Sequence, residues 1–122
     1  MPSINRFEDI LAWKKARELV KEVYLICSAG PFSRDFGLKD QICRAAVSSM
    51  SNVAEGFGKK THKDFTHFLD VARASTLEVQ SLLYVASDLN YIQSPEFDRL
   101  YGIANETISL IAGFTSYLRS RS

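Results

Sequence analysis

"SNVAEGFGKKTHKDF", running from Ser51 to Phe65, decides the fold. A polar Ser-Asn pair and Glu55 interrupt an apolar run, and Gly-Phe-Gly then leads into Lys59, Lys60 and Lys63. Three readings compete: a phosphate-cradling loop, a catalytic carboxylate with its helpers, and a corner between two helices. A phosphate loop needs a preceding strand and a longer glycine-rich turn whose amides open onto a helix N-terminus. Here a helical pattern precedes the glycines, and they amount only to Gly56-Phe57-Gly58. The corner reading fits the glycines, the lysines and Thr61. Gly56 or Gly58 takes the left-handed conformation that closes one helix. The chain turns through Lys59-Lys60, and Phe57 folds back onto the bundle end. Thr61, with Asp64 three residues on, caps the next helix.

Upstream of the corner, a helix is predicted from Leu38 to about Phe57. Leu38, Ile42, Ala45, Ala46, Ser49 and Val53 form a slim apolar face whose small residues admit a close neighbour. Gln41, Arg44, Ser48, Asn52 and Glu55 form a continuous polar ridge beside it. Downstream, a helix is predicted from Thr61 to about Leu89. Phe65, Leu69, Ala72, Thr76, Val79, Leu83 and Ala86 alternate steps of four and three, as along a helix–helix seam. Val71, Ala74, Leu82 and Val85 make a second apolar stripe, with Glu78 set inside it. A helix apolar on two sides is either central in a larger fold or shared with another subunit. In a chain of 122 residues the second stripe reads as a subunit interface.

Two further segments complete the pattern. Phe7 to about Ser28 carries Trp13, Ala16, Val20, Val23, Tyr24 and Cys27 at helical spacing, with Asn5 and Glu8, or Asp9, at its start; Gly30-Pro31 ends it. Ser94-Pro95-Glu96 reads as cap, first helical position and first-turn acid of a last helix that runs to the end of the chain. Four helices with short connections predict an all-α, antiparallel up-down-up-down four-helix bundle, a single domain over residues 1–122. The helix 2–3 corner and the chain termini are read as lying at opposite ends, which leaves Arg119 and Arg121 out of the lysine patch.

Composition narrows the function classes. Apolar residues make up 46% and charged residues 24%, and the net charge is +1. No global field drives the chain onto nucleic acid, so any such site is a local patch or one repeated by oligomerisation. Cys27 and Cys43 lie in helical patterns without metal-type spacing and read as free thiols of a reducing cytosol. No apolar run follows a basic stretch at the N-terminus, and none approaches the roughly 20 residues that span a bilayer. A cytoplasmic protein without membrane contact is expected.

The chemistry-bearing residues do not assemble into a recognisable catalytic set. Asn52 and Glu55 are read as members of a partly buried polar ridge, partnered by side chains such as Arg44 or Arg73. No histidine, cysteine or serine nucleophile accompanies Glu55 in a recognisable spacing. Arg73 and Glu78 are five apart, so each is expected to meet a partner on another helix or subunit. His62 and His67 are also five apart and do not form an i,i+4 metal pair. Arg44, Asn52, Glu55, Arg73 and Glu78 are therefore assigned to structure. Catalytic, metal and cofactor residues are assigned to none.

The stretches "FEDILAWKKARELV" (Phe7–Val20) and "GLKDQICRAAVSSMSNVAEGFGKKTHKDFTHFLDVARAS" (Gly37–Ser75) resemble the four-helix-bundle proteins encoded in intervening sequences of bacterial 23S ribosomal RNA genes. Ser51 to Gly56 is the most specific part. Where that family often has two basic residues this chain reads Cys43-Arg44, and its usual glycine after the helix-three arginine is Ala74. The resemblance implies a left-handed bundle that assembles as a homopentamer with a central channel. The chain is also similar to the accessory pentamer of diversity-generating retroelements, which implies a nucleic-acid partner or a nucleic-acid enzyme. The expectation is a non-enzymatic oligomer that binds RNA weakly through Lys59, Lys60 and Lys63. The alternative is a self-assembling, protein-binding scaffold.

Overall fold

The structure, a computed structural model, describes residues 4–121 and shows four α-helices with no strand among them. They are α1 (Leu11–Ile26), α2 (Phe36–Phe57), α3 (His62–Asp88) and α4 (Ser94–Ser120), with short 3₁₀ turns at Phe7–Asp9 and Gly30–Arg34. α2 packs on α1 and α3, and α4 packs on α3 and closes back onto α1. This is the antiparallel up-down-up-down bundle that the periodicity predicts.

The helix ends follow local chemistry, with some shifts from the expected residues. Thr61 caps α3 as expected: its Oγ1 accepts the Asp64 N–H at 3.1 Å. α2 starts before Leu38 because Asp35 supplies the cap, its Oδ1 accepting the Leu38 N–H at 3.1 Å. α4 starts one residue earlier than read, with Gln93 rather than Ser94 as cap. The Glu96 carboxylate accepts the Gln93 N–H at 2.9 Å, one half of a capping box. The first segment is divided. Ile10 is extended (φ −76°, ψ 119°) and separates the Phe7–Asp9 turn from α1. That kink drives the Ile10 side chain into the core, where it is 1% exposed, and lets the Asp9 carboxylate accept the Asn5 N–H at 3.2 Å.

The glycine reading at the corner is corrected. Gly58 closes α2 with φ −75°, an ordinary right-handed value. Gly56 lies inside the helix, and its use is space. A Cβ there would fall 2.7 Å from Cδ1 of Phe65 and 3.1 Å from Cβ of Phe68. The left-handed helix stop occurs instead after α3, at Asn90 with φ 60°. Tyr91 N–H bonds the Ala86 carbonyl at 2.9 Å and Asn90 N–H bonds that of Ser87 at 3.0 Å, the paired bonds of a Schellman ending.

The interior divides into two clusters stacked along the bundle. One joins Leu19, Val23, Phe32, Ile42, Leu83 and Leu100. The other joins Ile10, Trp13, Val53, Phe65, Leu69 and Phe114, with Phe57 folded against it as expected. Fully burying each such aliphatic or aromatic side chain contributes about 1.5–3 kcal/mol. The second cluster shows which elements share an end. It gathers the starts of α1 and α3 with the ends of α2 and α4. The helix 2–3 corner and the chain termini therefore lie at the same end, and the expectation of opposite ends is overturned. Four antiparallel helices require this, because α2 and α4 run in the same direction.

The second stripe on α3 is only partly outside. Leu82 is buried at 9% exposure, whereas Val71 and Val85 are 37% and 41% exposed. Leu82 lies nearer the α2 side, where the core cluster covers it.

Candidate nucleic-acid interface

The shared end collects the cations. Lys59, Lys60 and Lys63 are all exposed and form no ion pair among the described residues. Two backbone bonds hold the turn that carries the first two lysines. Gly58 N–H bonds the Glu55 carbonyl at 3.1 Å and Lys59 N–H bonds that of Gly56 at 3.0 Å. Lys59 Nζ sits 4.9 Å from the centroid of the Phe68 ring, a cation–π contact that keeps the ammonium at the surface.

Arg119 and Arg121, left out of the patch on sequence grounds, stand at the same end. Arg119 Nη2 lies 3.4 Å from Asp70 Oδ2, an exposed pair that bridges α4 and α3. The Arg121 guanidinium lies over the Tyr117 ring at 4.9 Å. Asp64, Asp70 and Glu55 belong to the same region and dilute its field. What the five cations offer chemically is a set of solvated ammonium and guanidinium groups on open surface. That suits phosphate backbones and carries no base readout.

The polar ridge on α2 resolves into separate contacts. Gln41 Nε2 donates to Glu78 Oε2 at 3.3 Å, which gives Glu78 its partner on another helix. Arg44 Nε donates to Asp40 at 2.8 Å within α2 and does not reach Asn52 or Glu55. Asn52 Nδ2 donates to the Ser48 carbonyl and hydroxyl at 2.8 and 2.9 Å. Ser48 Oγ meets Ser75 Oγ across the helix pair at 2.8 Å. Glu55 and Arg73 are exposed, and neither side chain has a hydrogen bond or ion pair among the described residues. The five residues assigned to structure are not brought into one network within the chain.

Sequence reasoning missed a buried polar contact. Ser49 Oγ and Thr76 Oγ1 lie 2.7 Å apart in the α2–α3 seam, both fully buried. Thr76 also donates to the Ala72 carbonyl at 2.8 Å. A threonine has one hydroxyl proton, so Ser49 is the donor between the two. The available signal was the pairing of Ser48-Ser49 with Ser75-Thr76 on antiparallel neighbours. No buried side-chain nitrogen or oxygen among the described residues lacks a partner.

Little else at this end resembles a reaction centre. His62 and His67 are exposed, and no group of three or more His, Cys, Asp or Glu among the described residues could hold a metal ion. An apolar groove of about 580 Å³ runs between the start of α1 and α4, lined by Ile4, Leu11, Lys14, Leu110 and Phe114 among others. No helix among the described residues is long and apolar enough to cross a membrane.

Comparisons with known proteins agree with this architecture. The family model described as 23S rRNA-intervening sequence protein matches residues 8–113. A crystal structure of a protein of unknown function from the S23 ribosomal protein family of Bacteroides thetaiotaomicron superposes with a TM-score of 0.79. It is 18% identical, and the match covers 86% of this chain and 98% of that one, so the likeness is one of fold. No curated protein matches the sequence.

Proposed function

Since the chain belongs to the 23S rRNA-intervening sequence protein family, we propose that it is a non-enzymatic, self-assembling bundle whose cationic end binds RNA weakly and without sequence preference. The observation that carries this reading is the convergence of Lys59, Lys60, Lys63, Arg119 and Arg121 on one end of the bundle. A net charge of +1 keeps the affinity low for one copy. A homo-oligomer, a pentamer by family resemblance, repeats the patch and raises it. Self-assembly is supported by the exposed apolar side chains of α3, with Leu77 43% and Tyr84 53% exposed on one flank and Val71 37% and Val85 41% exposed on another. Arg73 and Glu55, unpartnered within the chain, are available to charges on a neighbouring copy. The cytoplasm, where ribosomal RNA resides, is the compartment this role requires.

Fluorescence anisotropy with structured and single-stranded RNA tests the reading. Binding is expected at low salt and falls steeply as salt rises, because each phosphate contact releases roughly 0.7–0.9 of a counterion. Replacing Lys59, Lys60 and Lys63 by Ala removes most of it, and adding Arg119→Ala and Arg121→Ala removes the rest, with the oligomer intact. Absence of binding at low salt, or binding indifferent to these changes, sinks the RNA reading. The exposed α3 face then favours the second reading, a scaffold that assembles and binds protein alone.

A further inference from the structure

We propose that Cys27 and Cys43 form an intramolecular disulfide under peroxide, a covalent staple between α1 and α2 at the end of the bundle away from the cations. The two thiols are in contact inside the fold. Their sulfurs are 3.4 Å apart, with Cys27 fully buried and Cys43 8% exposed. A disulfide requires the sulfurs to approach by roughly a further 1.4 Å. The location favours that movement. Cys27 is the cap residue after α1, with φ −90° and ψ 3°. Ser28 and Ala29 follow it and lead to Gly30 at φ +60°. The end of α1 is thus a terminus adjoining a turn, whereas Cys43 is held in the body of α2.

The chemistry proceeds in two displacements. The Cys43 sulfur, the one with some exposure, attacks a peroxide oxygen as its thiolate. The O–O bond breaks, Cys43 becomes a sulfenic acid and hydroxide leaves. The Cys27 sulfur, as thiolate, then attacks the Cys43 sulfur, and the second hydroxide departs. The protons released by the two thiols neutralise both hydroxides. One peroxide is reduced to two waters, and two thiols become one disulfide. Burial, then the hydrogen bond and charge of Cys27, with Asp40 adding and Lys39 opposing, push the Cys43 thiol up to about 12. The thiolate is therefore scarce near neutral pH, and the reaction is slow there. Contact favours the product, and protonation guards the route to it. The chain is expected to stay reduced through brief exposure and to lock during sustained oxidation.

Equilibrium and kinetics are tested separately. The full-length protein is equilibrated in glutathione redox buffers, folded and in urea, then quenched with maleimide and weighed intact. The folded chain is expected to favour the internal disulfide by ~30-fold or more over the unfolded chain. After hydrogen peroxide, its mass falls by two hydrogens, maleimide adds nothing, and the melting temperature rises. Cys27→Ser and Cys43→Ser each abolish the mass change, and Cys27→Ala and Cys43→Ala serve if the serine variants do not fold. An equal or weaker preference in the folded chain overturns the proposal. So does oxidation that yields only chain-to-chain dimers, glutathione adducts or sulfinic acid.

Discussion

Gly56 on α2 lies directly against the ring of Phe65 on α3, with only enough room for its hydrogen: a Cβ would sit 2.7 Å from Cδ1. The contact sets how closely α2 and α3 approach at the cationic end. It also explains how a glycine resides inside a helix, where it costs about 1 kcal/mol relative to alanine.

Gly56→Ala should therefore destabilise the fold, by about 1–3 kcal/mol as an overpacked core does. Gly113→Ala on α4 is the control. It is exposed, nothing lies within 4 Å of its added methyl, and it should stabilise by about 0.4–1 kcal/mol. Urea unfolding of both variants measures the contrast; a stabilising Gly56→Ala would show that the helices can separate freely.

Removing Thr76 Oγ1 leaves the buried Ser49 hydroxyl without its acceptor. Thr76→Val should cost about 1–3 kcal/mol. The double variant with Ser49→Ala should cost less than the two single changes added together, because the orphaned group is gone. A double-mutant cycle in denaturant reads the coupling, and simple additivity would mean that the 2.7 Å contact contributes nothing.

Glu55 separates chain stability from assembly. It is exposed and unpartnered in the chain, so Glu55→Ala in dilute, monomeric protein should change stability by about 0.5 kcal/mol or less. If a neighbouring copy supplies its partner, the same variant should dissociate at higher protein concentration than the parent. Native mass spectrometry across a dilution series distinguishes these outcomes.

High pH should test Cys43. Its folded pKa is raised, to about 12 from an ordinary 9.0, so the folded state holds the proton more tightly than the unfolded state. The resulting stability is fully present below pH 9 and is lost as pH climbs toward 12. Cys43→Ala should flatten that part of the profile. Chemical unfolding of parent and variant between pH 8 and 11 is the measurement, and parallel curves would contradict the raised value.

Local signals were readable in the sequence, and contacts between helices were much less so. Thr61 with Asp64 announced a helix start because capping involves residues three apart. The seam from Phe65 to Ala86 announced a buried face because periodicity is also local. Gly56 was misread for the opposite reason: a glycine before a turn suggests a left-handed stop, and only Phe65 on another helix shows that space is the issue. Asn90, which does adopt the left-handed conformation, lacked the glycine that usually marks it. The Cys27–Cys43 contact depends on the register between α1 and α2, which spacing within either helix does not specify. The convergence of the corner and Arg119 was accessible, since counting antiparallel helices places them together. That step decides whether the patch contains three cations or five.

The even number of antiparallel helices has an electrostatic consequence. At the cationic end, the N-termini of α1 and α3 stand beside the C-termini of α2 and α4, so the partial charges of the peptide macrodipoles oppose one another and largely cancel. The potential at that surface is thus set almost wholly by side chains. It can be weakened, strengthened or inverted at Lys59, Lys60 and Lys63 while the backbone scaffold beneath stays electrically silent.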